Sequence, residues 1–303
     1  MTIEPATQRV FRSGFCCFVG RPNTGKSTLT NALVGTKVAI TSDKPQTTRR
    51  AIRGIVNRSD AQLVIVDTPG LHRPRTLLGE RLNDVVRTTL SEVDVIGLCV
   101  PADQRIGPGD RYIAAELASV AAPVIAVVTK VDAVSKARVA AQLTAVSELG
   151  EFSDIVPVSA VTGDQVDLLA DLLVAQLPAG PGLYPTDLNT DEPVEISVAE
   201  LVREAALDGV RDELPHSIAV TVDEMRPRDG RPDLTEVFAT IHLERTSQKG
   251  ILIGAGGSRL KAIGTAARPP IERLLGTRVH LDLHVAVESD WQKDPRKLGR
   301  LGL

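Results

Sequence analysis

Residues 20–27 read Gly-Arg-Pro-Asn-Thr-Gly-Lys-Ser, the full Gly-x-x-x-x-Gly-Lys-Ser pattern of a phosphate-binding loop. An apolar run, Phe15-Cys16-Cys17-Phe18-Val19, precedes it, and Thr28-Leu29-Thr30-Asn31-Ala32-Leu33 follows with helical character. The spacing predicts a buried strand, a tight loop and a helix. Such a loop aims successive backbone N–H groups and the positive end of the helix at an anion. Gly20, Arg21, Pro22, Asn23, Thr24 and Gly25 are expected to wrap nucleotide phosphates, with Thr28 in the first helical turn beside them. Lys26 would bridge the outer phosphates and Ser27 would ligate Mg2+. This constraint puts the first half of the chain in the α/β class, with the loop at the carboxyl end of a strand in a doubly wound sheet.

Three later segments bear on the base and the chemistry. Asp67-Thr68-Pro69-Gly70 follows the apolar run Leu63-Val64-Ile65-Val66, which places Asp67 at the end of a second strand. Asp67 can hold Mg2+ through water and the Gly70 N–H can reach a terminal phosphate, with Thr68, Pro69 and Leu71 in the same nucleotide-facing turn. Thr129-Lys130-Val131-Asp132 ends another apolar run. The Asp132 carboxylate can accept from both the N1–H and the amino group of guanine, a donor pair that adenine lacks. At roughly 1.5–3 kcal/mol for each charge-assisted bond, the pair separates the two bases by orders of magnitude. The Lys130 stem can lie along the base. Thr129 stands where this motif usually has Asn, which predicts a weaker contact on the imidazole side. Ser159-Ala160 ends the run Ile155-Val156-Pro157-Val158, where the Ala160 N–H would meet guanine O6. The expected ligands are GTP and GDP with Mg2+. In this order and spacing the segments resemble the translation-factor-related GTPases.

Residues 41–50 carry little apolar content, so a mobile, exposed loop is expected. A Thr hydroxyl there would complete the magnesium shell only when a third phosphate is present, and loss of that phosphate would release the loop. Thr48 is the first choice and Thr47 the second. The expected metal set is Ser27, Thr48 and Asp67, and the catalytic set Lys26, Thr48 and Gly70. Ras-like GTPases follow this glycine with a Gln that orients the attacking water. Leu71 has no donor or acceptor for that task, and His72 is read as a solvated bystander, so intrinsic hydrolysis should be slow.

The second half carries a different signature. Ile251-Leu252-Ile253-Gly254-Ala255-Gly256-Gly257-Ser258-Arg259-Leu260-Lys261-Ala262-Ile263-Gly264 reads as helix, Gly-x-x-Gly turn and helix, the clamp with which a KH domain grips single-stranded nucleic acid. Ile251, Ile253, Leu260 and Ile263 are expected to form the helix–helix seam and groove floor. The chain is formally −3, which offers no general attraction to nucleic acid. Between Arg245 and Arg278, however, seven basic residues face one acid, Glu272, which makes a local basic stripe. Because the turn itself lacks Lys or Arg, phosphate contact should fall to Lys249, Arg259 and Lys261, with Ile253, Gly254, Ala255, Gly256 and Gly257 shaping the clamp.

A phosphate-loop GTPase followed by a linker and this KH signature resembles the Era GTPase family. The resemblance rests on Gly-Arg-Pro-Asn-Thr-Gly-Lys-Ser, Pro-Gln-Thr-Thr-Arg, Asp-Thr-Pro-Gly-Leu-His, Ile-Val-Pro-Val-Ser-Ala, Glu-Leu-Pro-His-Ser-Ile and Gln-Lys-Gly-Ile-Leu-Ile-Gly, spread over nearly the whole chain. It implies binding to the 3′ end of small-subunit ribosomal RNA, partnership with the small ribosomal subunit and a role in its assembly and maturation. It also implies peripheral contact at the inner face of the cell membrane, although no amphipathic anchor is visible here. In related GTPases with Pro-Asn in this loop, the residue matching Asn23 holds K+, so K+ joins Mg2+ as a candidate ion.

The expected architecture is a P-loop GTPase sheet over residues 1–177, a proline-containing linker at 178–193, and a smaller α+β type II KH domain with a tail over 194–303. Helix is expected over 194–214, strands over 217–222, 235–243 and 278–287, and a loop over 226–233. Cys16, Cys17 and Cys99 lie in apolar runs without metal spacing and read as reduced core residues of a cytoplasmic, monomeric protein. Two functions stay open: a hydrolysing GTP switch, or an RNA-binding structural factor with a regulatory nucleotide site. Asp132 and the lack of an acceptor site disfavour an ATP-using kinase.

Overall fold

Near-continuous apolar runs build the strands of the first half, as a parallel sheet covered on both faces requires. The computed structural model describes residues 10–44, 47–71, 76–210 and 214–303. They fall into two units. The first comprises the described residues of Met1–Ala39, Ala51–Leu71 and Asp84–Asp191, and the second those of Ile40–Arg50, His72–Asn83 and Glu192–Leu303. Pro45, Gln46, His72 and residues 211–213 lie outside the described residues.

The chain runs β1 (Arg12–Val19), α1 (Lys26–Val34), β2 (Ile52–Asn57), β3 (Ala61–Asp67), α2 (Leu77–Glu92), β4 (Val95–Pro101), α3 (Pro108–Leu117), β5 (Val124–Thr129), α4 (Lys136–Ser147), β6 (Asp154–Pro157) and α5 (Val166–Ala175). The sheet order is β2-β3-β1-β4-β5-β6. Only β2 pairs antiparallel, on β3 at the sheet edge; the other pairings are parallel. One face packs against Leu29 and Leu33 of α1 and Leu169 and Leu173 of α5. The opposite face packs against Val86, Leu90, Ile113, Leu117 and Val146 of α2, α3 and α4. The strand order reverses between β1 and β4, so the loop after β1 opens at a topological switch point.

All three cysteines are buried free thiols, as expected of core residues. Burial pushes the Cys17 and Cys99 thiols up to about 12 and the Cys16 thiol well above its ordinary range. Of residues 178–193, read as a linker, those up to Asp191 belong to the first unit and are hydrogen-bonded to it. The Ser13 hydroxyl donates to Pro181 O (2.6 Å), Gly180 N to Phe11 O (3.1 Å) and Ile55 N to Asn189 O (2.8 Å). Gln62 Oε1 accepts from the N–H groups of Leu183 and Tyr184.

The second unit contains α6 (Val194–Leu207), α7 (Leu214–Ser217), β7 (Ala219–Arg228), β8 (Arg231–Leu243), α8 (Thr246–Ile253), α9 (Ser258–Leu275), β9 (Arg278–Val287) and α10 (Pro295–Arg300). Its sheet order is β7-β8-β9, with β7 antiparallel and β9 parallel to β8. The core joins Val198 and Val202 of α6, Val237 and Ile241 of β8, and Ile263, Ala267 and Ile271 of α9. The helix–strand–strand–helix–helix–strand order of the sequence reading is present, with α7 and α10 added.

Four local expectations are corrected. The helix expected over 194–214 ends at Leu207, because Asp208 is extended and Gly209 turns left-handed (φ 66°). The loop expected over 226–233 is a hairpin turned by Asp229 and Gly230 (φ 72°), with Pro227 accommodated beside a register shift. Ile251 is 58 % exposed; helical spacing instead buries Leu252 and, one turn earlier, Gln248. The described residues of the loop over 41–50 form no helix or strand but are not exposed throughout. Ile40 joins the second unit's core, and Thr48 and Arg49 are buried.

Candidate functional site

The phosphate loop closes α1 onto β1. Asn23 and Gly25 take left-handed backbone angles (φ 63° and 94°), and Gly25 O accepts from Leu29 N to start the helix. Buried Lys26 lies along the loop and donates to Arg21 O (3.0 Å) and Gly20 O (3.3 Å). Burial lowers its ammonium pKa, and the Asp67 carboxylate pulls it back toward the charged form. The Ser27 hydroxyl donates to Asp67 Oδ2 across 2.7 Å, so two of the three residues expected to hold magnesium meet, while Thr48 belongs to the second unit. Two hard oxygen donors side by side suit that ion.

The turn after Asp67 presses against the loop. A Cβ added at Gly70 would lie 2.7 Å from Pro22 N, so only glycine fits there. The Thr68 hydroxyl donates to Phe18 O (2.9 Å), and Leu71 N to Gly20 O (3.3 Å). Arg21, grouped with the phosphate residues, turns its guanidinium to Asp110 Oδ1 (2.8 Å) and Gln104 Oε1 (3.1 Å). Its main chain, rather than its charge, belongs to the loop. Thr48 is buried in the second unit.

Of the residues expected to read the base, Asp132 and Ser159 come together. The Ser159 hydroxyl donates to Asp132 Oδ1 at 2.6 Å and accepts from Thr162 N at 3.1 Å. Lys130 adopts φ 58° and its ammonium stands 3.6 Å from Asp103. Thr129, the residue that departs from the usual Asn, is buried and donates to Thr24 O at 2.6 Å. It ties the end of β5 to the phosphate loop. Ser159 and Ala160 are both expected at the nucleotide, but sequence reasoning missed this bond and the Ser159–Asp132 bond.

In the second unit, α8 ends at Ile253, capped by Gly254, and α9 starts at Ser258. Gly254, Gly256 and Gly257 all take positive φ (74°, 56° and 79°), and a Cβ on Gly254 would meet Arg259 N at 2.9 Å. The turn therefore needs glycine by its own geometry. Ala255 and Lys261 are exposed, and Lys249 and Ile253 are half-buried. Arg259 donates to Asp208 O (2.7 Å), so it also joins the turn to the end of α6.

The chain matches the family model described as 50S ribosome-binding GTPase over residues 15–130 and the KH domain model over 213–292. It is 66 % identical over 295 residues to GTPase Era of Mycobacterium avium, covering 96 % of this chain and 99 % of that protein. It is 65 % identical over 296 residues to GTPase Era of Mycobacterium tuberculosis, with the same coverage. Among solved structures, Era in complex with MgGDPNP and nucleotides 1506–1542 of 16S ribosomal RNA superposes with a TM-score of 0.92, 37 % identity and coverage of 96 % and 99 %. An Aquifex aeolicus Era variant bound to GDP·AlF4− gives 0.92 at 36 % identity, with the same coverage. With both family models matched and this identity over nearly its full length, the chain belongs to the Era family of GTPases.

Proposed function

We propose that this protein is a slow GTP-hydrolysing switch that binds the 3′ region of small-subunit ribosomal RNA and assists assembly of the small ribosomal subunit. One observation carries the reading. A guanine-reading carboxylate held by Ser159 and a Ser27–Asp67 magnesium pair share a chain with a glycine-built KH turn, and the solved relative holds both MgGDPNP and 16S ribosomal RNA nucleotides.

In this reading the backbone from Gly20 to Thr28 holds the phosphates, Ser27 and Asp67 hold Mg2+, and Thr48 joins them when the third phosphate is present. The ion would neutralise charge developing on the phosphates. Lys26 and the Gly70 N–H face the same charge. Asp132, Lys130 and Ala160 select guanine. With Leu71 unable to orient water, K+ at Asn23 is the proposed second ion. The protein acts as a cytoplasmic monomer. Among the described residues no helix is long and apolar enough to cross a membrane, and contact at the inner face of the membrane rests on the family resemblance alone.

Lys249, Ile253, Gly254, Ala255, Gly256, Gly257, Arg259 and Lys261 form the proposed RNA surface. Binding to an RNA of the 1506–1542 sequence tests it. Gly254→Asp with Gly257→Asp should abolish binding while GTP affinity holds. Ala255→Asp, at an exposed residue without positive φ, places a carboxylate in the turn without backbone strain and should weaken binding too. Parent-like RNA affinity in both variants would remove the turn from the interface.

A further inference from the structure

Arg49, the residue after Thr48, is buried within the second unit and makes three bonds that the nucleotide chemistry does not explain. Its guanidinium donates to Ile218 O (2.6 Å), His216 O (2.9 Å) and Pro215 O (3.2 Å), the carbonyls at the end of the single-turn helix α7. Such carbonyls have no partner within the helix and need one from outside. The same guanidinium lies 5.5 Å from the ring centroid of Trp291, the chain's only tryptophan, which is fully buried. Trp291 packs in one cluster with Leu78 and Leu82 from the first turns of α2, the helix that follows the Asp67–Gly70 turn. Arg49, next to Thr48, and the first turns of α2 therefore both meet Trp291.

The path continues toward the glycine turn. Trp291 Nε1 donates to Ser217 O (3.3 Å), and the Ser217 hydroxyl accepts from Gln248 Nε2 (3.0 Å). Gln248 Oε1 in turn accepts from Glu244 N and Arg245 N (3.1 and 3.0 Å), which fixes the start of α8. The other end of α8 is capped by Gly254.

We propose that Arg49, Trp291, Ser217 and Gln248 form a positioning relay, through which displacement of the Thr48 segment changes the seating of α8 and hence RNA affinity. This rests on the reading of Thr48 as a nucleotide sensor and of the turn as the RNA clamp. All four side chains lie inside one unit, and each junction is a direct bond or ring contact.

Ser217→Ala tests it, because the variant cuts the Gln248 amide link while Gln248 Oε1 still caps α8 and Trp291 Nε1 keeps its backbone acceptor. Affinity for the 1506–1542 RNA is measured in full-length protein loaded with GDP or with a non-hydrolysable GTP analogue, alongside Trp291 emission. In the parent, RNA affinity should differ at least fivefold between the two states and Trp291 emission should change with nucleotide. In Ser217→Ala the emission change should persist while the ratio of RNA affinities falls to within twofold of one. Arg49→Lys, which keeps the charge but loses the fork, should reduce both responses. A parent-like ratio in Ser217→Ala, or Trp291 emission unchanged by nucleotide in the parent, overturns the relay. Failure to bind GTP or the RNA at all would instead overturn the functional reading beneath it.

Discussion

Ser159 Oγ lies 2.6 Å from Asp132 Oδ1, so the carboxylate proposed to read guanine is held from the strand end beside it. Ser159→Ala should release that carboxylate. A hydrogen bond to a charged group is worth about 1.5–3 kcal/mol, so GDP affinity should fall roughly 10- to 100-fold by calorimetry. Asp132→Asn should weaken GTP binding and admit xanthosine triphosphate, whose extra carbonyl accepts from the new amide. A variant at Asp132 that binds GTP like the parent would show that the base is read elsewhere.

Arg49 is a stability element whatever its part in signalling. Arg49→Ala would leave the Pro215, His216 and Ile218 carbonyls short of a buried donor, at about 1–3 kcal/mol for an unsatisfied group. An unfolding free energy lower by roughly 3 kcal/mol is expected in a urea titration, with partial recovery in Arg49→Lys. Burial, aided by the neighbouring Arg203 charge, lowers the Arg49 pKa to about 9. The side chain therefore stays charged at neutral pH. A loss under 0.5 kcal/mol, roughly the scale of an ordinary surface substitution, would contradict the burial of this contact.

The loci that sequence alone made legible share a physical character. The phosphate loop and the glycine turn work through local backbone geometry, so their residues are contiguous and their glycines are visible. Ser159–Asp132, Thr129–Thr24 and Arg49–Ile218 join residues far apart in the chain, and a single polar side chain in a loop carries no periodicity that announces its partner. The exposed reading of 41–50 failed for that reason: apolar content was low, yet Arg49 is buried by bonding to carbonyls. Two signals were present and passed over. Gly209 marks the end of α6, and Asp229-Gly230 is a strong two-residue hairpin turn within the stretch read as a loop.

His242 supplies a pH signature. Burial lowers its pKa below the ordinary 6.5, against the opposing pull of Asp223 and Glu288, while Arg300 and His284 lower it further. The folded state therefore favours neutral imidazole, whereas the unfolded chain takes up a proton near 6.5. The contribution is fully present above that pH and is lost as pH falls through the folded-state value. Melting temperature should decline from pH 7 to pH 5, and His242→Gln should flatten part of that decline. An unchanged profile in the variant would assign it to other groups.

The K+ proposed at Asn23 is tested by salt substitution. Phosphate release should be faster in potassium than in sodium at equal ionic strength, and Asn23→Ala should remove the difference. A cation placed there offsets charge developing between the outer phosphates, as an arginine finger does in other GTPases. Equal rates in the two salts for the parent would leave RNA or ribosome contact as the activator.

The central claim is a guanine-specific hydrolysing switch addressed to the small ribosomal subunit, and steady-state phosphate release with and without purified small subunits tests it most directly. The account predicts slow release from GTP, none above background from ATP, and a rate that changes when small subunits are added. Negligible release from GTP under both conditions would contradict it, leaving an RNA-binding factor whose nucleotide is only a regulatory ligand.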